Sequence, residues 1–530
     1  MNLIELIDRV EMKKMLFFLL GLSLAVKLFL LIALQYESFN PDGLLYISAA
    51  EKISQGHFRE ALSIYRMPLY PLLITMVHFF VSDWALAGKL VSLILAVLTL
   101  IPLYLISIQL FSRAAAFWAC LAFALSPVPN YWAVEILRGP SYLFVFAWTI
   151  YFALKAIQTT RPIFFVLAIA FSLLIFLLRV EGIIFIPVFI LFLLFLVTGR
   201  GREKKRYRPG FFIYTGFWVF IGLVGSMLVG GDLIEYNRID EVIESVTGIF
   251  NLSFLDNYFN IYDQLVALED SSPYPGGKQN FAEIARHYMP LIYLLGIFET
   301  VIRILFPLFL IPLIWGFRNT MDRQRIFLIT MTGSYLFFIY FTLIEGDFIQ
   351  KRFLSAPVFL LYPWVGAGLT ALVNGMKKRT WPKWLITVIL ALFIALPLSK
   401  IFDTLGDKDD LKYRAGKWLA SQPAMMESKI VTTDKLILFF AGLKYYDGKG
   451  EKYVYLKSSK HKIKFYAIIE KYAKDHRMDV IIVAVSKKDK RLIPRFTFFK
   501  KCKSFDGKKD YVEFHVSPKI YGKLQKTTAD

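Results

Sequence analysis

The chain has 530 residues, of which 56% are hydrophobic, 17% aromatic and only 19% charged. Roughly a quarter of a soluble globular chain is charged, so a purely soluble protein is excluded. The net charge of +21 comes with no nucleic-acid-binding motif, which rejects that partner, and two cysteines (Cys120 and Cys502) allow neither a disulfide framework nor a Cys-ligated zinc site.

The apolar residues fall in blocks of roughly 17 to 28, enough to cross a hydrocarbon core of about 30 Å at 1.5 Å per residue. Lipid offers no partner to a backbone N–H or C=O, so helix is the expected form. The predicted spans are 15–35, 85–111, 114–130, 141–158, 163–178, 183–198, 211–229, 289–316, 325–344, 353–375 and 383–400. The stretch MPLYPLLITMVHFF (68–81) is short and holds two prolines, and reads as an interfacial or re-entrant helix. The fold class is a multi-pass α-helical membrane protein of about 11 to 13 transmembrane helices. Residues 1–400 form the membrane domain and 401–530 a small soluble α/β domain.

Lys13 and Lys14 precede the first span and no small-residue cleavage site follows it, which predicts a retained signal anchor. The next loop, SFNPDGLLYISAAEKISQGHF, places Asp42 in a Pro-Asp-Gly turn. An isolated turn of this kind is ordinarily structural. Here it continues into an amphipathic helix that closes with YRMPLYPLL, carrying Tyr65 and Arg66. NYWAVEILRGPSY (130–142) sets Glu135 and Arg138 at the start of a span, where the plain reading is an interfacial pair. Arg179-Val180-Glu181-Gly182 lies between two spans. EGDFIQKRF adds Glu345, Asp347, Lys351 and Arg352. Ionisable groups at membrane depth are expensive and usually functional, while those at a span edge can snorkel.

Short basic loops follow the spans at 201–208 (GREKKRYR), 317–325 (Arg318, Arg323, Arg325) and 376–383 (Lys377, Lys378, Arg379, Lys383). With eleven spans and a cytoplasmic N-terminus, all three fall on the cytoplasmic side, as positive-inside bias requires. Loop 36–67, the Glu135 segment, loop 230–287, loop 345–352 and the tail then fall on the other side. Loop 230–287, with Asp232, Glu235, Asp240, Glu241, Glu244 and PYPGG, reads equally as a lid or as a solvated loop. In the tail, KYRAGKWLASQ and KIKFYAIIEKYAKDH predict helices, and KIVTTD, KYVYL and MDVIIVAVS predict strands. Its basic surface suits anionic headgroups or an acidic acceptor, or serves only solubility. His57, His78 and His287 show no ligand spacing and read as packing or interfacial residues.

The outer face thus offers carboxylates and arginines at the membrane surface. A carboxylate can take the proton of an attacking hydroxyl. Arginines can hold a phosphate and offset the charge that builds as a sugar leaves it.

The sequence NPDGLLYISAAEKISQGHF, the RMPLYPLL segment, RVEGIIFIP (179–187) and QKRFLSAPVFLLYP (350–363) resemble the GT-C superfamily. The resemblance is to glycosyltransferase family 39 and its relatives, the protein O-mannosyltransferases and the bacterial aminoarabinose transferase. It runs over about residues 15–400, with Phe353 where the family commonly has tyrosine. It implies an inverting transfer from a polyprenyl-phosphate sugar to a hydroxyl of a protein, lipid or glycan, on the periplasmic face of a bacterial inner membrane. The N-terminus would be cytoplasmic and the C-terminal domain periplasmic. The resemblance implies no definite cofactor and leaves open both metal-assisted transfer, with a divalent ion, and metal-independent transfer. By the resemblance Asp42 is the general base, and Arg66 and Arg352 face the carrier phosphate, with Arg138 and Lys351 beside them. Arg179, Glu181 and Tyr65 are further candidates. Where many relatives carry a second acid this chain has Gly139, and either Glu135 one turn earlier takes the role or the second acid is lost. Two other readings are a transporter or flippase of the lipid-linked sugar, and an inactive relative acting in assembly.

Overall fold

A computed structural model describes residues 11–34, 40–199, 204–228, 247–248, 251–270, 281–346, 348–406, 410–443, 452–456, 462–493 and 495–527. The chain divides into two compact units, Met1–Ile32 with Asp42–Ile401, and Ala33–Pro41 with Phe402–Asp530.

The first unit is helical. Its first half runs α1 (Met12–Ala33), α2 (Pro41–Ser54), α3 (Phe58–Ile64), α4 (Leu69–His78), α5 (Trp84–Leu98), α6 (Leu100–Leu110), α7 (Arg113–Leu125), α8 (Pro127–Ala133), α9 (Arg138–Thr159), α10 (Pro162–Leu178), α11 (Phe185–Thr198) and α12 (Lys204–Leu228). There follow α13 (Asp256–Asp270), α14 (Phe281–His287), α15 (Met289–Leu305), α16 (Leu310–Gly316), α17 (Arg323–Gly346), α18 (Ser355–Phe359), α19 (Tyr362–Lys378) and α20 (Lys383–Gly406). Short 3-10 turns at Val180–Ile184, Pro307–Phe309 and Lys351–Leu354 lead into α11, α16 and α18.

The protein is a multi-pass membrane protein. Among the described residues six helical segments are long and apolar enough to cross a bilayer: Met12–Ala33, Trp84–Leu110, Arg138–Thr159, Val180–Thr198, Arg323–Gly346 and Lys383–Asp403. Two bent pairs, α14 with α15 (78°) and Lys351–Phe359 with α19 (53°), raise the number to eight. The other predicted spans are helical but differ in form. Those at 114–130 and 163–178 are helices of 13 and 17 residues, and 211–229 belongs to α12, which opens on the basic run Lys204, Lys205 and Arg206. The block 289–316 is broken at Phe306, whose φ is 81°, because Pro307 disfavours helical backbone in the residue before it. The stretch around 68–81 gives the ten-residue α4, about 15 Å long and too short to cross.

Small residues let helices meet backbone to backbone, which is how packing gains contact where lipid supplies no hydrophobic drive. A Cβ on Gly368 would fall 1.6 Å from the Pro312 carbonyl oxygen, and one on Gly366 would fall 2.1 Å from that of Ala115. Helices α7, α16 and α19 are thereby locked together. A polar tie joins α1 to α8: buried Lys27 donates to Ser23 Oγ and Asn130 Oδ1, both at 2.8 Å. Asn130 Nδ2 in turn donates to the carbonyls of Ala124 and Ser126.

The second unit is a five-stranded sheet with helices. It contains β1 (Ile430–Thr432), β2 (Tyr453–Tyr455), β3 (Val480–Ser486), β4 (Lys500–Asp506) and β5 (Asp510–Val516) in the order β2-β1-β3-β5-β4. Strand β1 is parallel to β2 and β3, and β5 is antiparallel to β3 and β4. Its helices are α21 (Leu411–Ala420), α22 (Pro423–Met426), α23 (Lys435–Phe440), α24 (Lys462–Asp475) and α25 (Pro518–Thr527). Both faces of β3 are covered: Val480 and Ile482 pack with Leu419, Ile437 and Phe514, and Ile481 and Val483 with Ile469 and Phe499. Such two-sided burial explains the unbroken apolar run VIIVAV. The three predicted strands and two predicted helices are present. The hairpin β4–β5 and helix α25 are additional to them.

Candidate functional site

The residues singled out in the sequence sit mostly at helix junctions, where the chain reverses at one end of the first unit. Asp42 lies in the first turn of α2, one residue after Pro41. Proline is pre-organised for a first helical position, and a carboxylate there faces the positive end of the helix dipole. Arg138 opens α9 after extended Leu137, Arg179 is the extended residue that ends α10, and Arg352 lies in the 3-10 turn Lys351–Leu354.

These junctions converge. Arg352 Nη1 donates to Asp42 Oδ2 at 2.5 Å, across 310 residues of sequence. Both side chains keep about a third of their surface open, 30% for Arg352 and 38% for Asp42. Arg352 Nε is buried and has no hydrogen-bond partner among the described residues. Behind the pair lies Arg179, buried to 2% exposure. Its Nε and Nη2 grip the two oxygens of Glu181 at 3.2 and 2.8 Å, and its Nη1 donates to the Arg352 carbonyl at 3.0 Å. The guanidinium also packs over the rings of Tyr142 and Phe353, 5.3 and 5.5 Å from their centroids. Ser355 Oγ donates to the same Arg352 carbonyl at 2.8 Å. With the Ser355 backbone N–H, which donates to it as well, three donors pin the carbonyl of Arg352.

Arg138 closes the other side. Its Nη1 donates to the Leu178 carbonyl at 3.1 Å, satisfying one of the orphan carbonyls at the end of α10, and contacts Met67 Sδ at 3.0 Å. Its guanidinium lies 5.7 Å from the Tyr65 ring centroid. Tyr65 packs edge-on against Tyr46, which packs edge-on against Tyr70. Arg66 and Lys351 are exposed beside this cluster, and Lys351 has no ion-pair partner among the described residues.

Glu135 is buried, and the nearby charge is that of Lys89 on α5 rather than an open cleft. The next residue, Ile136, is wedged between helices: a Cβ on Gly43 or Gly88 would lie 3.0 or 2.8 Å from it. The wedge fixes the start of α2, and hence Asp42, against α5. Glu181 gives both oxygens to Arg179, and Asp42 accepts from Arg352 through Oδ2.

Tyr46, Tyr142 and Ser355 were not legible as site residues. Tyr46 had one usable signal: it follows Asp42 by four positions and so shares its helix face. Tyr142 and Ser355 act through backbone junctions that no local pattern shows. His78 stacks on Trp84 at 3.5 Å and His287 packs edge-on against Tyr288, as packing residues do. The acids of loop 230–287 named above, its PYPGG segment and Asp347 lie outside the described residues. Among the described residues no group of three or more His, Cys, Asp or Glu is arranged to hold a metal ion. The acids of the cluster, Asp42 and Glu181, are engaged by Arg352 and Arg179.

The family described as dolichyl-phosphate-mannose-protein mannosyltransferase matches residues 66–224. No curated protein sequence matches the chain. Three solved structures are similar over nearly its whole length. ArnT from Cupriavidus metallidurans bound to undecaprenyl phosphate is 12% identical with a TM-score of 0.53, covering 95% of this chain and 98% of that one. The Archaeoglobus fulgidus oligosaccharyltransferase in complex with zinc and sulfate is 12% identical with a TM-score of 0.54, covering 93% and 72%. The oligosaccharyltransferase AglB from the same organism, in complex with an inhibitory peptide and a dolichol-phosphate, is 11% identical with a TM-score of 0.51, covering 94% and 74%. The chain shares the GT-C fold of these solved structures, with a small C-terminal sheet domain.

Proposed function

We propose that this protein is a membrane glycosyltransferase that moves a sugar from a polyprenyl-phosphate carrier to a hydroxyl acceptor. The observation that carries the reading is the Asp42–Arg352 pair, an acid and an arginine that each keep about a third of their surface open beside the buried Arg179–Glu181 pair. The polyprenyl phosphates bound in the neighbouring structures support the choice of carrier.

In this mechanism Asp42 accepts the proton of the acceptor hydroxyl as its oxygen attacks the anomeric carbon. The bond from that carbon to the phosphate oxygen breaks, and the electron pair leaves with the phosphate. Arg352 holds the leaving phosphate through its guanidinium, with Arg66, Arg138 and Lys351 adding positive potential beside it. A single displacement with one base inverts the anomeric centre. Arg179 and Glu181 position Arg352 and do not touch substrate. Glu135, facing Lys89, is assigned to holding the entrance of α2 rather than to proton transfer. The reaction is placed on the periplasmic face of a bacterial inner membrane, with the C-terminal domain on that side and the N-terminus in the cytoplasm.

The test is Asp42→Asn in membranes supplied with labelled polyprenyl-phospho-sugar. A general base contributes roughly 10²- to 10⁴-fold, so transfer should fall by that order while the variant stays folded. Undiminished transfer would remove the mechanism.

A further inference from the structure

A second feature of the helical unit lies away from the Asp42 cluster. Helices α16, α19 and α20 enclose an apolar groove of about 440 Å³, lined among others by Trp315, Leu372, Val373, Phe393, Arg379 and Trp381. Its size falls within the roughly 300 to 1,000 Å³ of small-molecule sites. The walls are fixed, because α16 and α19 touch backbone to backbone: a Cβ on Gly316 would fall 2.0 Å from the Trp364 carbonyl oxygen. Phe309 stacks on Phe393 and holds α20 against them.

One end of the groove is charged. Arg379 lines it, and Arg318 lies over the ring of lining residue Trp315, 4.7 Å from the centroid. Neither arginine has a carboxylate partner among the described residues, and the same holds for Lys377, Lys378 and Lys383 around the adjoining turn. Two tryptophans and a run of unpaired cations at a helix end mark a headgroup-level position. The groove's mouth is separated from the Arg352 turn by α19, whose 17 residues span about 25 Å. It therefore opens at the opposite end of the bundle from the proposed chemistry.

We infer that this groove binds one acyl chain of an anionic phospholipid, whose headgroup phosphate is held by Arg318 and Arg379. The groove supplies the apolar bed, and the uncompensated cations supply the selection for negative charge. A zwitterionic lipid would fill the groove but gain nothing at its mouth. The inference does not rest on the glycosyltransferase reading.

The test uses the purified full-length protein in mixed micelles with phosphatidylglycerol brominated in its acyl chains, which quenches the tryptophans that line the groove. Quenching should saturate, and unlabelled phosphatidylglycerol should compete better than phosphatidylcholine. A basic residue at a membrane surface is worth about fivefold in anionic-lipid binding. Arg318→Gln with Arg379→Gln should thus weaken phosphatidylglycerol about 25-fold and leave phosphatidylcholine unmoved. Leu372→Trp, which fills the groove, should abolish saturable quenching by both. Wild-type lipid preference in the double variant overturns the proposal. So does competition by undecaprenyl phosphate stronger than that by phosphatidylglycerol, which would assign the groove to the sugar carrier's tail.

Discussion

Replacing Arg179 with methionine tests whether the buried arginine organises the site. Arg179 is 2% exposed and its partner Glu181 26% exposed. Removing one member of a buried ion pair costs about 3–5 kcal/mol, because the survivor is left charged and unpaired. Glu181 keeps contact with solvent, which places the expected loss near the lower figure, about 3 kcal/mol. Arg179→Met also removes one of the three donors to the Arg352 carbonyl, the one that reaches it from a distant part of the chain, and leaves the Oγ and backbone N–H of Ser355. Glu181→Leu in the same chain removes the stranded charge. The double variant should recover about 2 kcal/mol, within the 0.5–3 kcal/mol of coupling found for contacting residues. The assay is a double-mutant cycle on unfolding of the detergent-solubilised protein, run beside transfer from labelled carrier. Stability should return in the double variant and transfer should not, since only the neighbouring Ser355 then holds the Arg352 carbonyl and nothing ties it to the end of α10. A double variant no more stable than Arg179→Met, or one with wild-type transfer, refutes the reasoning.

Arg352→Lys keeps the charge but loses the planar fork. It should raise the donor concentration needed for half-maximal transfer by roughly tenfold or more, the worth of a hydrogen bond to a charged group. Unfolding should move by less than about 1 kcal/mol, because the Asp42–Arg352 pair is about one-third exposed. In the C-terminal unit, burial works to raise the Glu513 carboxyl, but hydrogen bonds from His515, Lys501 and Tyr511 outweigh it and hold it at about 2, below its ordinary 4.5. A depressed carboxyl stabilises the fold fully above its unfolded value and loses that contribution as pH falls through the folded one. Protease resistance of residues 410–527 should therefore decline between pH 4.5 and about 2, and Glu513→Gln should flatten that decline; an unchanged acid profile would refute the assignment. Gly368→Ala places a methyl group against the Pro312 carbonyl oxygen. Overpacking of this kind costs about 1–3 kcal/mol or more, so the yield of folded protein on size-exclusion chromatography should drop, while Gly296→Ala, with nothing within 4 Å, should not change it.

The membrane architecture was legible because apolar run length is a physical requirement of crossing lipid, and every predicted span carries a helix. The breaks were less legible. Pro307 announces one, but the bend before α19 follows from packing of Tyr362, Pro363 and Trp364, all buried. The hairpin β4–β5 was missed because β4 reads KKCKSFD, lysine-rich and mostly exposed, with no apolar alternation to betray it. Its turn, Asp506-Gly507, was the available signal. In the site, Asp42, Arg179, Glu181 and Arg352 were found by their place at span edges, and the structure brings them together. Glu135 looked equivalent on those grounds. What separates it is Lys89, a cation placed 46 residues earlier in the sequence within an apolar helix, and tertiary packing alone reveals that they are neighbours.

The 310 residues between Asp42 and Arg352 also set a schedule. At roughly 5–20 residues per second of synthesis, the arginine leaves the ribosome about 15–60 s after the aspartate. During that interval α2 through α17 are already being laid into the bilayer, while the carboxylate waits without its counter-charge. A chain that stops short of residue 352 can bury most of the same helices, yet it never closes this ring of ions. Completion of the centre is thus a late checkpoint of biogenesis, reached only when the final membrane helices follow.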